Sequence, residues 1–345
     1  MKYIAGFITD THLSKHNVEL NLNIFKQSID ICKEKNIPLF HGGDFLEERK
    51  TQDFDAKEGF ERVLDLFKEN ESILCGIVGN HEKKNYSSEK NWLSQFSHHP
   101  NFKLIQSFGF VDIWDFRVHL LPYFLESDNY KDYLKKCEGN IDKKKTNVLL
   151  THISLTGAKN NDGTKVENTL TVKDFDSFDL ILSGHYHQKQ KLGKFIYFGS
   201  AYQANYGENE EKGITLLKED GSIEFIQLNF KKYIKVKIDL DSIDNKELAR
   251  LTKDNSDSED NIRFEFIGSE NKLKSLKKEL FTANGIEVAT KVKEIEDSLE
   301  FIEGDEVISF TTSNIMEEFT AFCEKEELKE EDGKSYLTKK LNING

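Results

Sequence analysis

An α/β fold with parallel strands covered by helices is what this 345-residue sequence predicts, on three observations. First, short apolar runs recur, and each stops at a polar tip. Ile4 to Thr9 ends at Asp10-Thr11-His12, Leu39-Phe40 at His41-Gly42-Gly43-Asp44, and Ile73 to Val78 at Gly79-Asn80-His81-Glu82. Val148 to Thr151 ends at His152, and Leu180 to Ser183 at Gly184-His185-Tyr186-His187. Unalternating runs of this length fit strands buried on both faces. Second, helical periodicity alternates with the first of these runs. Third, the tips share carboxylate, imidazole and amide groups, and ligands of open α/β sheets bind beyond the carboxyl ends of the strands. Five strands with their tips on one edge are therefore expected.

Taken in order, Leu22, Phe25, Ile29 and Cys32 predict a helix over 19–35, and Pro38 opens the next strand. Phe60, Val63, Leu64 and Phe67 fall at i, i+3, i+4 and i+7 of a second helix. The β-α-β-α-β order argues for parallel pairing. A third helix is expected near 88–97, a hairpin over 108–124, and a short helix over 128–137. Lys143-Lys144-Lys145 reads as a solvated turn, and Ser154 to Asp174 as a polar loop beside the site. Phe195 to Phe198, Gly213 to Leu217 and Ile223 to Leu228 read as closing strands of a second sheet.

Near residue 231 the character changes. Strand-like Tyr233 to Leu240, a helix over 242–252, alternating Ile262 to Ile267, and a helix through Leu273, Leu276 and Leu280 stopping at Asn284-Gly285 describe a small α/β unit closed by Ile286 to Val292. An acidic connector, 294–306, leads to two helical patterns. The first is striped by Ile315, Met316, Phe319 and Phe322, the second by Tyr336, Leu337 and Leu341. The expected domains are thus 1–230, 231–295 and 306–345.

Composition narrows the function classes. No apolar run approaches the roughly 18 residues of a membrane span, and no signal peptide is visible, so a cytoplasmic protein is expected. Cys32, Cys75, Cys137 and Cys323 are scattered, which argues for buried thiols rather than disulfides or a Cys-based zinc site. The net charge is −13. Residues 1–230 carry 29 basic and 34 acidic side chains, a balance of −5, and 231–345 carry 19 and 27, a balance of −8. Nucleic-acid binders usually show a basic footprint, so for a DNA substrate metal ions or a partner must supply positive charge.

The tips supply Asp10, His12, Asp44, Asn80, His81, His152, His185 and His187. Asp10 and His12 are two apart, as are His185 and His187, so an extended backbone points each pair to one side. Mixed carboxylate, imidazole and amide donors suit Mn²⁺, Fe²⁺ or Zn²⁺ better than Ca²⁺. Seven candidate donors exceed one tetrahedral ion and suit two ions, which can clamp the attacking and leaving oxygens of a phosphoryl displacement. His41 reads as hydrogen-bonded structure, and His16, His98, His99 and His119 as surface or structural residues.

Together these motifs resemble the calcineurin-like metallophosphoesterases, whose pattern runs D-x-H, G-D, G-N-H-D/E, H and G-H-x-H. Leu121-Pro122-Tyr123, Phe178-Asp179 and Tyr197 to Gln203 followed by Lys212-Gly213 are similar to the SbcD-type nuclease subunits of double-strand-break repair, including phage-borne members. The resemblance covers roughly residues 1–230. It implies a β-sandwich flanked by helices, a small α/β capping domain that binds DNA, and C-terminal helices. Asp10, His12, Asp44 and His187 would hold one metal and Asp44, Asn80, His152 and His185 the other, with two Mn²⁺ activating a bridging hydroxide. His81 would assist the leaving group. Glu82 replaces the Asp commonest in that branch, and Ala201 a frequent Pro. DNA exonuclease and endonuclease activity, an SbcC-type coiled-coil ATPase partner docked by the 315–322 stripe, and homodimerisation are further implications. No G-x-x-x-x-G-K-[ST] run is present, so ATP hydrolysis by this chain is not expected.

Two other functions fit the same residues. A protein or small-molecule phosphatase would share the fold, although the Asp-Arg-Gly ending of the serine/threonine phosphatases is missing after Asp44. A non-catalytic scaffold would be expected to have lost donors, and none is lost.

Overall fold

The strands that carry the polar tips are divided between two sheets packed face to face. The computed structural model describes residues 2–125, 129–160, 163–209, 211–293, 299–303, 306–310 and 319–320. Two compact units emerge, the first being Met1–Ile234 with Ser258–Asn261. It runs β1 (Tyr3–Ile8), α1 (Val18–Lys35), β2 (Leu39–His41), α2 (Phe54–Glu69), β3 (Leu74–Ile77), β4 (Phe102–Ile105), β5 (Gly109–Ile113), β6 (Phe116–Leu121), α3 (Tyr130–Glu138), β7 (Thr146–His152), β8 (Leu180–Gly184), β9 (Gln190–Leu192), β10 (Phe195–Tyr197), β11 (Gly213–Lys218) and β12 (Ile223–Gln227).

One sheet has the order β12-β11-β1-β2-β3-β4 and the other β5-β6-β7-β8-β10-β9. β1 to β4 are parallel, as are β6, β7, β8 and β10. A single open sheet edge is therefore the wrong picture for the five tips: two parallel stacks each send their carboxyl ends to the same rim. The segments 213–217 and 223–228 also differ from expectation. They extend the first sheet, with β11 antiparallel to β1, because pairing over some 200 residues leaves no trace in a local hydrophobic pattern.

Phe7, Phe40 and Ile77 of the first sheet meet Val118, Leu150 and Leu182 of the second in a common core. Each such side chain contributes about 1.5–3 kcal/mol by leaving water. On the outer face of the first sheet, α1 buries Phe25, Ile29 and Cys32, and α2 buries Phe60, Val63, Leu64 and Phe67. α2 starts where the Asp53 side chain accepts the Asp55 N–H at 3.0 Å, an N-cap contact. α1 stops at Asn36, whose left-handed φ of 53° closes the last turn. α3 and the segment from Ser154 to Phe175 cover the second sheet, through Tyr130, Leu134, Leu155 and Phe175.

The helix expected near 88–97 is a single 3₁₀ stretch, Trp92–Phe96. Lys143 and Lys144 lie in a turn, and Lys145 pairs with Asp112 at 3.3 Å. Cys32, Cys75 and Cys137 are buried free thiols. No helix among the described residues is long and apolar enough to cross a membrane.

In the second unit, entered at Lys235, β13 (Tyr233–Asp239, its first two residues belonging to the first unit), α4 (Asn245–Ser256), β14 (Asn261–Gly268, Asn261 also belonging to the first unit), α5 (Glu270–Ser275), α6 (Glu279–Thr282) and β15 (Glu287–Val292) build a sheet of order β13-β14-β15. The helix expected through Leu273 to Leu280 is broken in two. Leu276 is extended, and Phe281 packs against Phe264 and Phe266 at 5.8 and 5.0 Å between ring centroids. Aromatic burial thus outweighs the helical period. β16 (Leu299–Glu303) and β17 (Glu306–Phe310) form an antiparallel hairpin where a connector and the start of the C-terminal helices were expected. Phe301, Val307, Ile308 and Phe310 favour strand, and acidic content says nothing about backbone pairing. Of the 315–322 stripe only Phe319, which is helical, lies among the described residues.

Candidate active site

All eight predicted side chains converge at the carboxyl ends of β1, β2, β3, β7 and β8. Asp10, His12, Asp44, Asn80 and His152 are buried, and His81, His185 and His187 are half-buried. The chain reaches them by unusual backbone. Asp10, His12, Asp44 and His185 adopt φ of 53°, 40°, 55° and 91°. The expectation of extended backbone from Asp10 to His12 and from His185 to His187 is therefore incorrect. Left-handed residues turn both side chains inward just past the strand, a conformation costing of order 1–3 kcal/mol each that surrounding contacts must hold. Gly79 makes room for this: a Cβ there would sit 2.2 Å from Asp44 Oδ1.

Two groups of donors face one another. Asp10, His12 and His187 offer atoms within 4.8 Å of each other, and so do Asp10, Asp44 and His152. His12 Nε2 lies 3.0 Å from His187 Nε2. The opposite ring nitrogens both meet carboxylates, His12 Nδ1 at 2.9 Å from Glu47 and His187 Nδ1 at 2.7 Å from Glu208. With Nδ1 protonated on each ring, two bare Nε2 lone pairs oppose each other unless a cation or a proton lies between them. His152 repeats the arrangement. Its Nδ1 donates to the Gly42 carbonyl at 2.8 Å, which leaves Nε2 facing Asn80 Oδ1 at 3.0 Å and Asp44 Oδ2 at 3.2 Å. His185 Nδ1 meets the same Asn80 oxygen at 3.0 Å. So many acceptors converging in a dry place fit divalent cations.

The electrostatics agree. Burial opposes charge on His12, yet the Glu47 hydrogen bond and the Asp44 and Asp10 carboxylates outweigh it and raise His12 to about 9. Burial likewise opposes charge on His152, and Asp44 and Asp10 carry it to about 9. Burial and the neighbouring His152 push His185 down to about 4. A raised histidine adds stability that is fully present below the ordinary value of 6.5 and vanishes as pH climbs through 9. In chelator, the protein is therefore expected to lose stability between about pH 7 and 9. Urea midpoints across that range provide the test, and a flat profile would contradict it.

Several supporting residues escaped the sequence. Glu208, 8% exposed, takes His187 Nδ1 and the ammonium of Lys212 at 3.2 Å, and burial working against those partners still leaves its carboxyl near 2. No spacing rule links residues 187 and 208, so only the fold reveals the pair. Glu82 accepts N–H groups from Asp44, Leu46 and Gly79 at 3.1, 2.9 and 2.7 Å. Tyr123 stacks on His185 with ring centroids 6.3 Å apart. His41 is structural: its Nε2 meets Thr11 Oγ1 at 3.0 Å and its ring stacks on Phe45. His119 is also buried, bonded to Asn147 at 3.0 Å, while His16 lies at the cleft wall.

Residues 5–189 match the family described as calcineurin-like phosphoesterase. The chain is 27% identical over 223 residues to "Putative phosphoesterase 244L" of Invertebrate iridescent virus 6, an alignment spanning 61% of this chain and 74% of the viral protein. It is 26% identical over 167 residues to the SbcD component of the nuclease SbcCD of Staphylococcus epidermidis, spanning 41% of this chain and 44% of that protein. Among solved structures it is similar to the calcineurin-like phosphoesterase YfkN from Bacillus subtilis, with a TM-score of 0.36 and 13% identity over 65% of this chain and 87% of that one. The chain belongs to the calcineurin-like phosphoesterase family, whose divalent-metal chemistry on phosphoesters suits the clustered Asp and His donors found here.

Proposed function

We propose that this protein is a metal-dependent DNA nuclease subunit that hydrolyses phosphodiester bonds at DNA ends in repair or recombination. The observation that carries the reading is the pair of donor groups joined through Asp10, with Asp44 Oδ2 3.9 Å from His12 Nε2 and the His81 imidazole standing beside them. Asp10, His12, Asp44 and His187 would hold one ion, and Asp44, Asn80, His152 and His185 the other, with Mn²⁺ the favoured metal. Such ions polarise phosphoryl oxygens and make water a better nucleophile near neutral pH. The protein's own part is orientation. Glu47 and Glu208 fix the His12 and His187 rings through Nδ1, and Asn80 spaces His152 from His185. His81 points its Nε2 into the cleft, 4.0 Å from Asp44 Oδ2, placed to donate a proton to the departing oxygen.

DNA as substrate draws support from the likeness to the SbcD component of SbcCD and from the motifs after residue 120. The acidic balance fits a protein whose DNA path is completed by an SbcC-type ATPase, met through the C-terminal segment. The test is a digestion of end-labelled linear duplex with MnCl₂ or with chelator. Shortening of the labelled strand in manganese alone is expected. Intact DNA beside rapid hydrolysis of a phosphopeptide would instead identify a phosphatase.

A further inference from the structure

The cleft does not stop at the donor cluster. The same cavity, about 600 Å³ with the donor cluster included, continues past His12 and His187 toward Asn17, Leu20, Tyr202, Asn205 and Tyr233. That space exceeds a phosphate and is of the size that holds a small organic ligand. Neither lysine nor arginine lines it, and its polar groups beyond the donors, His81 and Glu47 are Ser14, His16, the two amides and the tyrosine hydroxyls. The amides are engaged already. Asn17 Nδ2 donates to the His12 carbonyl and the Tyr202 hydroxyl, each at 2.9 Å, and Asn205 Oδ1 accepts the Gly207 N–H at 2.7 Å. What remains on offer is an uncharged wall with an aromatic ring.

Tyr233 is held unusually firmly for a half-exposed residue. Its N–H donates to Gln203 Oε1 at 2.8 Å and its carbonyl accepts from Gln203 Nε2 at 3.0 Å, with Gln203 itself buried. Tyr206 packs edge-to-face against the ring, centroids 4.9 Å apart at 82°. A ring fixed in this way loses little conformational entropy when a ligand stacks on it. Aromatic rings on cleft walls are the usual platforms for unpaired bases, because every base presents a π face.

We propose that Tyr233 is the stacking platform for the nucleoside esterified to the scissile phosphate, which makes nucleoside phosphodiesters the preferred substrate class of this cleft. The inference rests on the phosphodiesterase reading above. Two esters with one leaving group separate them: thymidine 5′-(p-nitrophenyl) phosphate and methyl p-nitrophenyl phosphate, each with Mn²⁺. Hydrolysis adds water across the aryl P–O bond of either, releasing p-nitrophenolate and a proton and leaving thymidine 5′-phosphate or methyl phosphate. A KM about tenfold lower is expected for the thymidine ester, within the range of base stacking on an aromatic ring. Tyr233→Phe should keep that preference, and Tyr233→Leu should bring the two KM values together. Equal KM values in the unaltered protein, or a preference that survives Tyr233→Leu, would overturn the proposal. Failure to hydrolyse the methyl ester as well as the thymidine ester would overturn the phosphodiesterase reading and this inference with it.

Discussion

His81→Ala is expected to slow phosphodiester hydrolysis by about 10²–10⁴-fold, the usual weight of a positioned general acid, while leaving divalent-metal binding intact. The ring is aimed by two contacts. Its Nδ1 lies 2.5 Å from the Glu47 carbonyl oxygen, which assigns the Nδ1 proton, and its face meets His12 edge-on at 4.6 Å between centroids. Nε2 is then the atom that looks into the cleft. A competing role exists, since His12, Glu47 and His81 also present atoms within 4.8 Å of one another and could hold a cation. Glu47 argues against it: its carboxylate already takes His12 Nδ1 and its side chain is 48% exposed. Measuring manganese binding by calorimetry beside turnover decides the matter. Retained binding with lost turnover is the expected pair of results, and a loss of binding that accounts for the lost rate would make His81 a ligand instead.

How much of this was legible beforehand depends on whether the information is local. The five tips were, because each strand ends abruptly at Gly, Asp, Asn or His, and α1 and α2 were, because Phe25, Ile29, Phe60 and Phe67 keep a helical period that burial respects. The division of the strands into two sheets was not, since β1 pairs with β11 across most of the first unit. Nor were the backbone turns at Asp10 and His12. They are imposed by long-range bonds, the Asp10 N–H donating to the Gly43 carbonyl and the His12 N–H to the Asp44 carbonyl. The same holds for Glu208, which reaches His187 only because the segment after β10 passes back over the site.

Glu82 shows what the strained geometry needs, and Glu82→Gln should cost about 3 kcal/mol of stability, the sum of a weakened charge-assisted bond and an N–H left facing another N–H. The side chain is wholly buried, with Oε2 taking the N–H groups of Asp44 and Gly79 and Oε1 that of Leu46. Both oxygens must accept, and a glutamine, nearly identical in shape, has only one that can. Whichever way the amide turns, its NH₂ confronts at least one backbone donor. Burial and the charge of Asp44 push the Glu82 carboxyl up to about 7, with the Leu46 and Gly79 N–H groups pulling the other way, so above pH 7 the buried charge itself weakens the fold and a neutral glutamine offsets part of the loss. The comparison therefore belongs at pH 6, where that offset is smaller. Loss of these bonds also releases Asp44 from its left-handed backbone, φ 55°, and the carboxylate that both donor groups rely on for position drifts with it. Manganese affinity should therefore fall together with the urea midpoint. A variant as stable as the parent would mean that the three N–H groups find water instead, and that Asp44 is held by the sheet alone.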